Sequence, residues 1–585
     1  MKIPTKNIAF SLLLTLGVFS HLSAQNLLKA TWKFQTGDDA SWASREVDDT
    51  SWANLQGNQL WERQGYNGYD GYAWYRQKVF IPSDLKEDAR LNGGLILDLG
   101  PIDDTDATYW NGQSIGQTGQ FPPNYEGKYN VQRLYSIPFE SIKFDEENLI
   151  AVRVYDDAGG GGFYGKNQSM RVIGMEDLVS IEVKGLPDDH VFLGDGAYSF
   201  SLELENNYRK PVNGTLSCVV RSDFGELISE QSFPVKLKQN KKKALTIEVG
   251  NLAPGFYQIE NVLEAELENK SFGFSIGVRP EDIVSPLTQP EDFQNYWDRA
   301  KKELAAVEPQ FKMIRQDSLC TPDKEYFLVE MRSLGNVLVR GWYRRPTKAG
   351  KYPAILHVQG YSSNQGPNHG YGGNDMIALA LNIRGHGNSQ DHINPGFPGY
   401  LQHFVDDKEM YIYRGAYMDC IRAVDFLCSR PEVDTSLLVV EGGSQGGALS
   451  FATAALDNKR IKLCVPAVPF LSDFEDYFQM AAWPGGEFIN YVKQHPEVGW
   501  EGVYNSLHYI DIKNLAPWVK APVLMSIGLV DPVCPPHINF AAYNQLTVPK
   551  SYVVYPFAGH GLPAERYNPM KYEWIRQHLA KLREK

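Results

Sequence analysis

Ser444 stands in Gly442-Gly-Ser-Gln-Gly446, a G-x-S-x-G pentapeptide that follows the apolar run Leu437-Leu-Val-Val-Glu441 and precedes a helix-compatible stretch of small residues. A sharp strand-to-helix turn of this kind projects a serine hydroxyl, and its glycines let backbone pack closely. A serine hydroxyl is a weak nucleophile until a base removes its proton, so an acid and a histidine are required. Asp531 follows the strand-like run Val523 to Ile527, and His560 follows Ser551 to Tyr555. The chain order Ser, Asp, His, with both partners in loops beyond strands, predicts a catalytic triad for acyl transfer: His560 as base, Asp531 holding its tautomer. The oxyanion of the tetrahedral intermediate needs two N–H donors. The first is the backbone N–H of Gln445, after the nucleophile. The second is assigned to Tyr361, because His357-Val-Gln-Gly-Tyr361 ends an earlier strand. His357 and His386 are rivals for a catalytic role, and local packing or hydrogen bonding is the expectation for each.

Strands must alternate with helices to hold these residues. From about residue 285 they do: Ala354 to Val358, Met376 to Ile383, Leu437 to Glu441, Val523 to Ile527 and Ser551 to Tyr555 alternate with helical patterns near 411–429, 446–456, 536–546 and 568–583. That alternation predicts a mostly parallel, doubly wound sheet. Thr288-Gln-Pro-Glu291 reads as a capping box opening an amphipathic helix through Trp297 to Leu304.

This half resembles the acetylxylan esterase and cephalosporin-C deacetylase family, carbohydrate esterase family seven. The resemblance rests on Gly442-Gly-Ser-Gln-Gly-Gly447, Gly528-Leu-Val-Asp-Pro-Val-Cys-Pro-Pro536, Phe540-Ala-Ala-Tyr-Asn544, Arg422-Ala-Val-Asp-Phe-Leu427, Pro431-Glu-Val-Asp434 and Val468-Pro-Phe-Leu471. It implies an α/β-hydrolase domain over residues 285–585 that removes acetyl and other small acyl groups from sugar hydroxyls without metal or cofactor. It implies Ser444, Asp531 and His560 as triad, with Tyr361 and Gln445 as backbone donors. Two positions depart from the family. Its Arg-Gly-Gln motif reads Arg384-Gly385-His386, and its His-Glu pair reads His560-Gly561. Arg384 and Gly385 are expected to tie a loop near the site.

Upstream, residues 25–176 carry half of the 12 Trp and short alternating runs broken by Gly and Asp turns, the pattern of a β-sandwich. Trp32-Lys-Phe-Gln-Thr-Gly-Asp38, Asp49-Thr-Ser-Trp52, Trp61-Glu-Arg-Gln-Gly65, Gly71-Tyr-Ala-Trp-Tyr-Arg76, Gly100-Pro-Ile-Asp-Asp104, Trp110-Asn-Gly112 and Val154-Tyr-Asp-Asp157 resemble the galactose-binding-like jelly roll of many carbohydrate-active enzymes. Aromatics in a sandwich are more often core than sugar platforms. Residues 177–280 alternate without the Trp and predict a second, immunoglobulin-like sandwich, with Lys236 to Lys243 as a solvated hairpin tip.

Composition narrows the classes. The chain has 585 residues, 43% hydrophobic and 12% aromatic, which suits several cores. A net charge of −13 disfavours a nucleic-acid binder, whose footprint is basic. Lys2, Lys6, the apolar Ile8 to Phe19 and Leu22-Ser23-Ala24 read as a signal peptide over residues 1–24. The expected protein is exported, periplasmic or extracellular, with no membrane span. The six cysteines are scattered, without a CxxC or Cys/His cluster, and read mostly as small buried apolar residues. The expected substrate is an acetylated poly- or oligosaccharide, and oligomeric state stays open. A prolyl-oligopeptidase-type serine peptidase and a non-catalytic carbohydrate-binding protein are the alternatives.

Overall fold

The computed structural model describes residues 26–584 except 130, 158, 166, 167, 209, 266–268, 368–372 and 374. The expected signal peptide, residues 1–24, therefore lies outside the described residues. The protein is multidomain, with many β-sheets ahead of a C-terminal region of mixed strands and helices.

Two antiparallel sheets share the first core. One runs Ala53–Gln56, Thr31–Thr36, Gly71–Ile81, Glu146–Asp156, Thr105–Trp110, Gln113–Thr118; the other centres on Gly94–Asp103. Trp32, Trp61 and Trp110 are fully buried between them beside Phe34, Tyr75 and Phe163. The tryptophan wealth of this zone thus goes largely into packing, since each such ring removes a large apolar area from water. The next two sheets enclose Phe200, Leu202, Leu216, Val220, Ile247, Ile259 and Ile276. The expected hairpin at Lys236 to Lys243 is absent: Leu227–Leu237 pairs with Val212–Ser222 in one sheet and Lys241–Asn251 with Ala197–Asn206 in the other, so the exposed turn at residues 238–240 carries the chain between sheets.

The C-terminal sheet has nine strands, in the order Lys312–Arg315, Lys324–Ser333, Val337–Pro346, Ile377–Asn382, Tyr352–Val358, Val433–Gly443, Ile461–Ala467, Val523–Gly528, Lys550–Tyr555. From Ile377–Asn382 onward every pairing is parallel, and the first three strands add antiparallel. Ile377–Asn382 and Val523–Gly528 are buried at every position, as strands covered on both faces must be. Helices Ile412–Cys428 and Gln445–Leu456 belong to the core on one side. Helix Ala564–Arg583 supplies Ile575 and Leu579 to the smaller core on the other.

Strand order fixes where chemistry can occur. After Tyr352–Val358 the chain moves to one side, to Ile377–Asn382, and then crosses to the other, to Val433–Gly443. A crevice opens outside the carboxyl ends of neighbouring strands at such a switch point. Ser444 and Tyr361 follow those two neighbours.

One expectation fails. The helix starts at Phe293, after Asp292, and not within Thr288–Glu291. Thr288 is held elsewhere: its N–H donates to Asn514 Oδ1 (2.9 Å), and Asn514 Nδ2 donates to its hydroxyl (3.1 Å). A tertiary partner has replaced the local cap.

The segment joining sandwich to C-terminal sheet is anchored throughout. Asn544 Nδ2 donates to the carbonyls of Pro280 and Ile283, both at 3.0 Å, and Ile283 is buried. Ser285 Oγ donates to Asp473 Oδ2 (2.6 Å) and receives Lys513 Nζ (3.0 Å).

Candidate active site

Ser444 occupies the single residue between the strand Val433–Gly443 and the helix Gln445–Leu456, with φ 58° and ψ −122°. A positive φ is costly for a residue with a side chain and persists only where the surroundings impose it. Here its N–H donates to Ala467 O (2.9 Å) and its carbonyl accepts from Phe470 N–H (3.0 Å). The glycines are a steric requirement. A Cβ at Gly446 would stand 2.3 Å from Val358 O, and one at Gly442 2.5 Å from the same oxygen. The helix therefore begins hard against the strand end, and the half-buried serine is carried at its tip.

Asp531 lies just beyond Val523–Gly528, with its side chain fully buried. Its Oδ1 accepts the N–H groups of Val533 (2.8 Å) and Cys534 (3.0 Å), which orient the carboxylate. Its Oδ2 lies 2.8 Å from His560 Nδ1. With Nδ1–H directed at the carboxylate, Nε2 is left as the basic nitrogen. His560 is 31% exposed, so a proton can pass between it and an incoming substrate.

The same loop touches the serine. Cys534 is buried, and its Sγ lies 4.0 Å from Ser444 Oγ. Burial, then the charge of Asp531, push its thiol well above the usual range, so it packs against the serine as a neutral group. The structure thus brings Asp531 and His560 into a hydrogen bond and sets the Asp531 loop against Ser444.

The two donor candidates also sit at the serine. A Cβ on Gly360 would lie 3.9 Å from Ser444 Cβ, so the segment entering Tyr361 passes alongside it. The Tyr361 phenol donates to Glu487 Oε2 (2.8 Å), and its ring meets Phe397 at 5.0 Å and Trp483 at 6.2 Å. Gln445 is the first residue of its helix, where backbone N–H groups lack intrahelical partners and carry partial positive charge. Its side chain is fixed: Oε1 accepts from Tyr413 OH (2.6 Å), and Nε2 lies 3.3 Å from His386 Nε2.

His386 is fully buried, and burial lowers its pKa to about 4. A neutral imidazole there accepts from the Gln445 carboxamide, so His386 sits beneath Gln445 as support. His357 is remote in role: Nδ1 lies 3.3 Å from Glu441 Oε1, and Lys571 Nζ pairs with Glu441 Oε2 at 2.5 Å. Arg384 ties a loop as expected. Its guanidinium donates to both oxygens of Asp419 (2.9 and 2.7 Å) and to Leu334 O (3.0 Å).

Sequence reasoning missed several neighbours. Cys534 lay within a quoted motif but carried no signal of contact with Ser444. Tyr413 could not be paired with Gln445 from spacing. His537 follows the Asp531 loop, and its Nδ1 lies 2.8 Å from Asp223 Oδ2 of the second sandwich. Among the described residues three groups hold carboxylate, imidazole or thiol atoms close enough to share a cation: Asp531/Cys534/His560, Asp473/Asp476/His537 and Asp103/Asp104/Asp156. The first is the serine-side machinery itself, and in the second Asp473 already pairs with Lys513 at 2.7 Å.

Comparison with known proteins places the chain in a family. A family model described as acetyl xylan esterase (AXE1) matches residues 283–578, just over half of the chain. Acetyl esterase Axe7A of Xylanibacter ruminicola is 29% identical over 390 residues, covering 64% of this chain and 84% of that protein. Acetyl xylan esterases of known structure from Paenibacillus sp. R4 and Thermoanaerobacterium sp. JW/SL YS485 are 34% and 32% identical. They cover 51% of this chain and 98% and 97% of their own, each with a TM-score of 0.48. The chain belongs to the acetyl xylan esterase (AXE1) family and is a carboxylic-ester hydrolase.

Proposed function

We propose that this protein removes acetyl groups from hydroxyls of xylan or a related polysaccharide through an acyl-enzyme on Ser444. The observation that carries the reading is the 2.8 Å Asp531–His560 hydrogen bond in a loop whose Cys534 lies against Ser444. His560 Nε2 takes the Ser444 Oγ proton as Oγ bonds to the acetyl carbon. The N–H groups of Gln445 and Tyr361 receive the oxyanion. Collapse breaks the ester bond, and His560 returns the proton to the departing sugar oxygen. Water, deprotonated by His560, then attacks the acetyl-serine, and acetate leaves as Oγ regains its proton.

In this reading residues 285–585 are an α/β-hydrolase domain. Residues 25–176 are a galactose-binding-like jelly roll, and 177–280 an immunoglobulin-like sandwich. Residues 1–24 direct export, which suits a polymeric substrate outside the inner membrane. Among the described residues no helix is long and apolar enough to cross a membrane.

The test is acetate release from acetylated xylan together with hydrolysis of p-nitrophenyl acetate. Both should vanish in Ser444→Ala, and Ser444 should take up a fluorophosphonate label. Full activity in Ser444→Ala, or an inert wild type, would sink the reading.

A further inference from the structure

The Asp531 loop has two sides. One meets Ser444. The other walls a groove of about 310 Å³ whose floor belongs to the second sandwich. The floor is the outer face of the strands Gly255–Ala265 and Asn269–Val278. Along Gly255–Ala265 the two-residue period sends Ile259 and Leu263 into the sandwich core and leaves Gln258 and Glu260 exposed. Gln258, Glu260 and Ser275 line one side of the groove, and Met480, Val530 and Pro532 line the other. Among the described residues neither Gln258 nor Glu260 spends its side chain on a hydrogen bond or ion pair.

The groove is held open by contacts on both flanks. His537 binds Asp223, which lies at the end of the sandwich, and also lies 3.7 Å from Asp476. On the other flank the ring of His190, from the same sandwich, meets Phe557 at 5.0 Å. Phe557 stands three residues before His560 and is 77% exposed. The sandwich is therefore clamped to the loops carrying Asp531 and His560, and the space between is preformed, which spares a ligand the cost of ordering it.

We propose that this groove is a binding site for the saccharide chain that carries the acetyl group, so that the second sandwich recognises substrate. The inference rests on the esterase reading above. A carboxamide, a carboxylate and a hydroxyl on one wall suit the hydroxyl edge of a sugar. An aliphatic and proline wall suits its C–H face. The volume sits at the lower end of ligand clefts, which gather at domain interfaces. A small synthetic ester has no chain to place there.

The experiment compares wild type with Gln258→Ala/Glu260→Ala, both positions being solvent-facing on a strand. It measures kcat/KM on acetylated xylo-oligosaccharides and on p-nitrophenyl acetate. The ratio of the first to the second is expected to fall about tenfold, with the change in KM for the oligosaccharide. A ratio within about twofold of wild type, in a protein that still hydrolyses p-nitrophenyl acetate, overturns the binding site and leaves the esterase reading intact. A wild type that hydrolyses neither ester overturns the esterase reading and the binding site with it.

Discussion

Asp223 and His537 meet at 2.8 Å across the boundary between the second sandwich and the C-terminal region. Burial disfavours the charged form of His537, but Asp223 and then Asp476 outweigh it and push its pKa up to about 9. A histidine in the unfolded chain titrates near about 6.5. The folded protein therefore binds the extra proton between those values, and stability falls with pH there. The contribution is complete below about pH 6.5 and is lost as pH rises through 9. Thermal unfolding followed from pH 6 to 10 should show a Tm decline across this window that is blunted in Asp223→Asn. Parallel curves would contradict it.

Asp531→Asn keeps the shape but loses the charge that fixes His560. Its Oδ1 contacts to Val533 and Cys534 and its Oδ2 contact to His560 are all as acceptor. An inserted amide nitrogen must oppose one of these donors or force the other imidazole tautomer. The expected loss in kcat is about 10⁴-fold, with circular dichroism unchanged. A loss below about tenfold would remove Asp531 from the mechanism.

His386 is a positioning residue, acting through the Gln445 side chain 3.3 Å away. His386→Leu removes the acceptor and frees the side chain of the residue proposed to give its N–H to the oxyanion. We expect kcat on p-nitrophenyl acetate to drop about tenfold with KM moving less. His386→Gln restores an acceptor and should recover most of the rate. Equal kinetics for the two variants would assign His386 to packing alone.

Lys571 and Glu441 form an ion pair with side chains only 5% and 1% exposed. Lys571→Met strips the buried carboxylate of its lysine partner and leaves it His357 and the Tyr572 hydroxyl, so the loss should approach that of a broken buried pair, about 3–5 kcal/mol. Adding Glu441→Gln should return part of that stability in urea unfolding. Glu441 stands three residues before Ser444, so labelling of the serine should report the same rescue.

What was legible in the chain was what local pattern determines. Parallel strands buried on both faces read as continuous apolar runs, and Ile377–Asn382 and Val523–Gly528 could be seen for that reason. Ser444, Asp531 and His560 could be singled out as candidates because strand ends carry loops, and loops carry reacting groups. Contacts between distant segments were not. Thr288 looked like a cap, yet Asn514, 226 residues away, claims it. Asp223 and His537 are 314 residues apart, and nothing in either neighbourhood announces the other. His386 was visible as a departure from a family motif, but its partner Gln445 emerges only when the segments beyond Ile377–Asn382 and Val433–Gly443, which flank Tyr352–Val358 in the sheet, converge.

The anchored segment from Pro280 to Ser285 makes the molecule a poor candidate for modular exchange. Asn544, Asp473 and Lys513 hold it as part of the esterase body. A chain beginning at residue 286 would surrender Ile283 and bare a buried lysine–aspartate pair; one beginning at residue 279 would keep both. Recombination that trades the upstream sandwich for another must cut before Pro280 to keep these anchors, and it loses the docking contacts of Asp223 and His190. Diversification of this architecture is thereby steered toward changing side chains on the docked sandwich in place, and away from swapping it.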